Sequence, residues 1–213
     1  MLFWKDEGSL FLHSVGSRVG HRPPKAAYIG ASNGDAPEFY SIFTAAMQSI
    51  DVHNCKMILS SFPVEDALFL NQADIILLAG GDVETGWGIL AERGIKEVVM
   101  RRYYEGAILL GVSAGAVQLG LCGLIESEHS SDELLETFKL VPFIVGAHEE
   151  KREWQTLKKT VRLLNGATKG IGIRAGGGLI YYPDQSVEAI RYPLSAFSIE
   201  GGEIKHDLLL PKG

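Results

Sequence analysis

The chain predicts a three-layer α/β sandwich, doubly wound about a largely parallel sheet, with a short antiparallel edge near the C-terminus. Three observations carry this. Short, almost wholly apolar runs recur at Lys25 to Gly30, Cys55 to Leu59, Asp74 to Ala79 and Ala107 to Val112. Runs of that length and uniformity are strands covered on both faces. Segments with helical spacing of apolar residues lie between them, and a strand-helix alternation is what a parallel sheet requires. Beyond residue 168 the pattern changes to brief strand-like pieces at Lys169 to Arg174, Leu179 to Pro183 and Val187 to Tyr192, parted by Gly- or Asp-rich turns. These read as a meander at one sheet edge.

The elements follow in order. Ser9 to His13 is an edge-strand candidate, and the Gly, Pro and basic residues of Gly16 to Pro24 make a loop. Lys25 to Gly30 is a strand that ends in Ala31-Ser-Asn-Gly-Asp35. Pro37 to Asp51 carries Phe39, Ile42, Phe43, Ala46, Met47 and Ile50 on one helical stripe, with Pro in its first turn. Pro63 to Asn71 is a short helix. Asp74 to Ala79 is a strand ending in Gly80-Gly-Asp82, and Thr85 to Tyr104 is a helix broken near Gly94. Leu121 to Val141 is polar and acidic and reads as a loop. Val141 to Val145 is apolar, and Glu149 to Leu164 is one helix with Trp154, Leu157, Val161 and Leu164 on a face.

At 213 residues, with 46% hydrophobic and 22% charged side chains, the chain suits one globular domain spanning 1–213. No repeat, low-complexity tract or linker divides it. The net charge of -6 argues against a nucleic-acid surface. No run of about 18 apolar residues is present, so no membrane helix is expected. The two cysteines, Cys55 and Cys122, read as reduced thiols. With no signal-peptide pattern at the start, they predict a cytoplasmic protein. No metal is expected, because the histidines lack ligand spacing such as H-E-x-x-H and the cysteines are far apart. No cofactor is expected either: the loop after the first strand lacks a dinucleotide or P-loop spacing.

The chemistry centres on Gly111-Val-Ser113-Ala-Gly115. This G-x-S-x-G segment follows a buried strand and opens a helix, the context in which small residues permit a sharp turn and lift the serine clear of the sheet. The helix that follows offers N-terminal amides to a developing oxyanion. Gly80-Gly81, directly after another strand, is the natural second donor. Strand ends of a parallel sheet are where sites collect, and Ser32 to Asp35, Gly80 to Asp82 and Ser113 all lie there. A serine needs a base. His148 follows an apolar segment and opens a helix, which separates it from the other five histidines. A carboxylate to orient it could come from Glu126, Glu128, Asp132 or Glu133.

Gly80-Gly-Asp82, Gly111-Val-Ser-Ala-Gly-Ala116, and His148 followed by Lys151-Arg152 and a helix together resemble the serine peptidase family of dipeptidase E and cyanophycinase. The resemblance covers about Lys25 to Tyr192. It implies a class I glutamine-amidotransferase-like, flavodoxin-like fold with Ser in place of the usual Cys. It makes Ser113 the nucleophile and His148 the base, with Gly81 and Ala114 as oxyanion amides. Cyanophycinase-like members carry Glu in a Gly-Ile-Asp-Glu-like segment, and here that segment reads Gly172-Ile-Arg174-Ala175. Dipeptidase E-like members use an Asp between Ser and His, and Glu126 falls closest to it, with Glu128 next. An aromatic after the His is replaced by Glu149.

The expected function is a serine peptidase acting on small peptide or isopeptide bonds, with Asp82 and Arg174 as candidate substrate contacts. Arg174 would serve an acidic side chain. Two other readings stand beside it: a non-catalytic binding or regulatory module of the same fold, and an esterase or amidase for small acyl groups. Cys122 lies about two helical turns beyond Ser113 and cannot replace it. An exposed apolar surface around Phe39 or Trp87 would support a homodimer.

Overall fold

The computed structural model describes residues 5–6, 9–10, 12–16, 23–126 and 132–212. The fold is α/β, with a parallel sheet flanked by helices and antiparallel strands towards the C-terminus. Two compact units divide it, residues 1–115 and 116–213.

The first unit begins with β1 (Lys5–Asp6) and β2 (Ser9–Leu10), an antiparallel pair, and the short helix α1 (His13–Gly16). The expected strand from Ser9 to His13 is thus shorter, and it gives way to helix at His13. Four parallel strands follow: β3 (Lys25–Ile29), β4 (Asn54–Ile58), β5 (Ile75–Leu78) and β6 (Ile108–Gly111). Their order is β4-β3-β5-β6. All four residues of β5 are buried, as befits a strand covered on both faces.

The crossovers are helical. Between β3 and β4 runs α2 (Pro37–Gln48), which buries Phe43, Ala46 and Met47 on the sheet and leaves Phe39 and Ile42 about half exposed. Tyr28, Phe43 and Met47 form the centre of the core there. After β4, α3 (Val64–Leu70) turns Asp66 inward, where its carboxylate accepts from Leu59 N at 2.8 Å and meets Lys56 Nζ at 2.9 Å. That hydrogen bond raises the Lys56 pKa. The long helix expected over Thr85 to Tyr104 is two, α4 (Val83–Glu92) and α5 (Ile95–Tyr104). Gly94, with φ +74°, makes the break.

Helix α6 (Ala114–Leu119) carries the boundary between the units. In the second unit, β7 (Cys122–Ile125) and β8 (Glu133–Glu136) pair antiparallel. The segment expected to be a loop therefore contains a hairpin. Next come β9 (Ile144–Ala147), α7 (Gln155–Leu163) and β10 (Gly170–Ile173). The expected helix from Glu149 starts instead with a 3-10 turn, Glu150–Arg152, and left-handed Glu153 and Trp154. β11 (Gly178–Tyr181) and β12 (Val187–Ile190) make a separate hairpin. Two strands absent from the sequence reading, β13 (Leu194–Glu200) and β14 (Glu203–Leu209), complete a sheet of order β14-β13-β10-β9. Only β9 and β10 in it are parallel. The meander expectation thus holds for β11 and β12, while β10 joins a mixed sheet.

Glycine lets α7 lie close on this sheet. A methyl group on Gly172 would come within 2.7 Å of the Trp154 ring. Cys55 and Cys122 are unpaired thiols, and burial raises the pKa of both. Among the described residues no helix is long and apolar enough to cross a membrane.

The Asp66 carboxylate is 1% exposed and joins α3 to the end of β4. Removing it takes the acceptor from the part-buried Leu59 amide and the counter-charge from Lys56, so Asp66→Ala should lower unfolding stability by about 1 kcal/mol. Denaturant melts of the two proteins check this.

Candidate functional site

The turn from β6 into α6 is set by contacts to the end of β5. Leu78 pairs with Gly111, and Val112 N then donates to Leu78 O at 3.0 Å. Gly115 N donates to Ala79 O at 3.1 Å and to Val112 O at 2.9 Å. A side chain at 115 is impossible on this path, since its first carbon would sit 2.1 Å from Leu78 O. Between those anchors Ser113 takes φ +50°, a left-handed conformation uncommon for a non-glycine residue. It is half-buried at the apex of the strand-to-helix turn.

The loop after β5 lies against that apex. A methyl group on Gly80 would be 3.2 Å from Ser113 Cβ. Gly81 has φ +137°, and a side chain there would strike Ser32 O at 1.9 Å. Asp82 N donates to the same Ser32 oxygen at 2.7 Å, so the 3-10 turn Ala31–Asn33 after β3 clamps the Gly-Gly loop. The amides of Gly81 and Ala114 have no acceptor among the described residues. Preorganised donors of that kind are what an oxyanion needs. Asp82 caps α4, its carboxylate accepting from Thr85 N at 2.7 Å. The bonds from Thr85 hold its pKa below the usual carboxylate value. Asp35 is likewise engaged, accepting from Ser60 N at 2.8 Å and Ser60 Oγ at 3.0 Å.

A cleft of about 330 Å³ opens beside the Gly-Gly loop, lined by Tyr28, Phe39, Ile42, Phe43 and Val112 among others. Its polar groups include Asn33, whose Nδ2 donates to Tyr28 Oη at 2.8 Å. Burial is the main cause that raises the Tyr28 pKa. Phe39 is 49% exposed, whereas Trp87 is 7% exposed and belongs to the core.

The remaining candidates lie in the second unit. His148 ends β9, is exposed, and has φ +45°, its N donating to Ile173 O at 2.8 Å. Glu149 is a helix cap: its carboxylate accepts from Thr156 N at 2.7 Å and Leu157 N at 3.2 Å. It satisfies orphan amides at the start of α7. Arg174 is exposed, with its guanidinium 5.7 Å from the centre of the Tyr192 ring. It lines a second cavity of about 330 Å³ with Glu150, Trp154 and Ser195. Glu126 has a carboxylate oxygen 3.9 Å from Lys159 Nζ, and that ammonium lies 2.5 Å from Asp132. Asp132 is therefore tied to the same lysine. Glu133 opens β8 and is exposed. Glu128 lies outside the described residues.

Within the first unit, Ser113, Gly81, Ala114 and Asp82 are thus gathered at neighbouring strand ends. His148, Arg174 and Glu126 belong to the other unit. Glu150 attracted no notice in the sequence. Its Oε1 accepts from Ala175 N at 3.3 Å, and its Oε2 is buried with no hydrogen-bond partner. The available signal was its place two residues after His148.

The sequence model of Peptidase family S51 matches residues 6–190. The chain belongs to this family. Over 125 residues it is 24% identical to the uncharacterized peptidase YgaJ of Bacillus subtilis (strain 168), a match covering 58% of this chain and 53% of that protein. The chain thus spans about half the length of this curated relative. The crystal structure of a peptidase from an acI-B1 Actinobacterium superposes with TM-score 0.66 at 18% identity, over 95% of this chain and 86% of that one. A Listeria monocytogenes EGD-e protein named for peptidase E gives 0.51 at 15% identity, over 92% and 93%. At such identities the likeness is one of fold.

Two substitutions probe the loop of this S51 chain. Gly81→Ala combines a backbone region closed to side chains with a clash against Ser32, and should cost about 2 kcal/mol or more, read by thermal or denaturant unfolding. Asp82→Ala should cost about 1 kcal/mol at pH 7 through loss of the cap. Because the folded pKa of Asp82 is lowered, its contribution is present above pH 3.8 and disappears as pH falls through the folded value. The stability gap between wild type and Asp82→Ala should therefore narrow in melts taken below about pH 4.

Proposed function

We propose that the chain is a serine peptidase cutting small peptide or isopeptide bonds through an acyl-enzyme on Ser113. One observation carries the reading: a hydroxyl at a left-handed apex, in a loop cluster with the Gly81 and Ala114 amides, which have no acceptor among the described residues. His148 takes the proton of Ser113 Oγ as that oxygen attacks the carbonyl carbon. The two amides hold the oxyanion of the tetrahedral intermediate. His148 then gives its proton to the amine, the carbon–nitrogen bond breaks, and the acyl group stays on Ser113. Water, deprotonated by His148, releases the acid and restores the hydroxyl. Glu126 is the carboxylate assigned to the imidazole, and Arg174 the cation that would receive an acidic side chain. A cytoplasmic setting, with neither nucleic acid nor membrane as partner, belongs to the same reading.

A second reading, a binding module of the same fold, has its own support. Ala175 stands where a carboxylate would follow Arg174, and its amide is held by Glu150. An esterase or amidase acting on small acyl groups would use the same serine.

A fluorophosphonate probe separates enzyme from module. Wild-type protein should be labelled, and Ser113→Ala and His148→Ala should not. Loss of Ser113 should lower turnover of a dipeptide substrate by at least about 10³-fold. Glu126→Gln should lower kcat by about 10²-fold or more while leaving KM little changed. Labelling that survives Ser113→Ala sinks the proposal. Comparing aspartyl dipeptides with simple esters sorts peptidase from esterase.

A further inference from the structure

β14 is the end strand of its sheet and, among the described residues, pairs only with β13. All seven of its residues are in register, from Glu200 opposite Glu203 to Leu194 opposite Leu209. The turn is Gly201-Gly202, with φ +61° and +86°, as a two-residue type I′ hairpin requires. The pair closing such a turn exchanges hydrogen bonds, and the ladder alternates from there. Glu203, Lys205, Asp207 and Leu209 thus turn their amides and carbonyls to β13. Ile204, His206 and Leu208 turn theirs outward. Those outward groups have no partner among the described residues. Lys205, His206, Asp207, Leu208 and Leu209 are exposed, Leu208 at 58%. No proline or bulge interrupts the strand, so the edge is an open template.

We propose that this edge is a dimer interface, in which β14 of a second copy of the chain pairs antiparallel with it about a two-fold axis at His206. Pairing must set outward residues against outward residues. That leaves central registers about Lys205, His206 or Asp207. An axis at Lys205 puts ammonium against ammonium and Glu203 against Asp207. An axis at Asp207 puts carboxylate against carboxylate. An axis at His206 sets Lys205 opposite Asp207 of the second copy, twice, and Ile204 opposite Leu208, twice. Opposite charges and apolar pairs across strands each contribute, while like charges oppose. The hydrogen-bonded pairs Ile204–Leu208, His206–His206 and Leu208–Ile204 exchange two bonds each. The His206 ring does not obstruct this, since it stacks on Phe197 of its own sheet at 4.6 Å and 14°. The contact is isologous, as a two-fold dimer demands. A single pair of strands is a small contact beside the ~800 Å² per partner of a standard interface, so the dimer should form in a concentration-dependent way. This proposal is independent of the catalytic reading.

Sedimentation of the full chain over a concentration series tests it. The weight-average mass of wild type should climb from 23.2 kDa towards twice that value. Lys205→Asp, at an exposed position, should raise the dissociation constant at least tenfold while the circular dichroism spectrum stays that of wild type. The charge-swapped protein, Lys205→Asp with Asp207→Lys, restores both opposite-charge pairs and should recover the dimer. His206→Pro, which removes an outward amide and none of the bonds to β13, should be monomeric. A wild type that stays at 23.2 kDa overturns the proposal. So does a dimer indifferent to Lys205→Asp, or one that the swap fails to recover.

Discussion

The close approach of α6 to the end of β5 decides the geometry around Ser113. The missing side chain at Gly115 admits Leu78 O to within 2.1 Å of the space a first carbon would fill. Gly115 N then bonds to Ala79 O. With the helix start fixed there and β6 fixed by its ladder to β5, the two residues between have little choice of path. Ser113 is left at φ +50°. A strained residue of this kind costs of order 1–3 kcal/mol and survives where its surroundings over-determine it. The fully buried β5 is such a surrounding. The same constraint reaches the next loop, because Gly80 must clear Ser113 and Gly81 must clear Ser32.

What the sequence disclosed follows from how each element is held. β3 and β5 were legible because strands covered on both faces are uniformly apolar. The break between α4 and α5 was legible at Gly94, a residue suited to φ +74°. β13 and β14 escaped a reading tuned to apolar runs, since β14 is largely exposed and carries Glu203, Lys205 and Asp207. The signal was nonetheless present: two alternating stretches about Gly201-Gly202 are a hairpin pattern. The β7–β8 pair was hidden by its acidic composition, and its pairing is a tertiary choice that local propensity does not encode.

The candidate site divides along the same line. Ser113, Gly81 and Ala114 form local motifs whose backbone demands are written in adjacent residues. Asp82 was legible as part of a motif, but its bond to Thr85 N identifies a helix cap. The surroundings of His148 were not legible. They depend on the parallel register of β9 with β10, which brings Ile173 O to His148 N and the Ala175 amide to Glu150. Glu149 illustrates the converse. It sits where the resemblance expected an aromatic, and the start of α7 needs its carboxylate, because Trp154 at the N-cap supplies no side-chain bond.

Ser113 and His148, though in different units, are presented by the same device. Each follows a parallel strand, each lies at positive φ, +50° and +45°, and each is anchored by main-chain bonding to the neighbouring chain segment. Val112 and Gly115 supply those bonds at one position, and the amide of His148 itself supplies one at the other. Main-chain anchoring matters for chemistry because it fixes where a side chain starts without using the side chain. Here the main chain fixes where each side chain leaves its turn, and within each unit that starting point is set by the neighbouring strand.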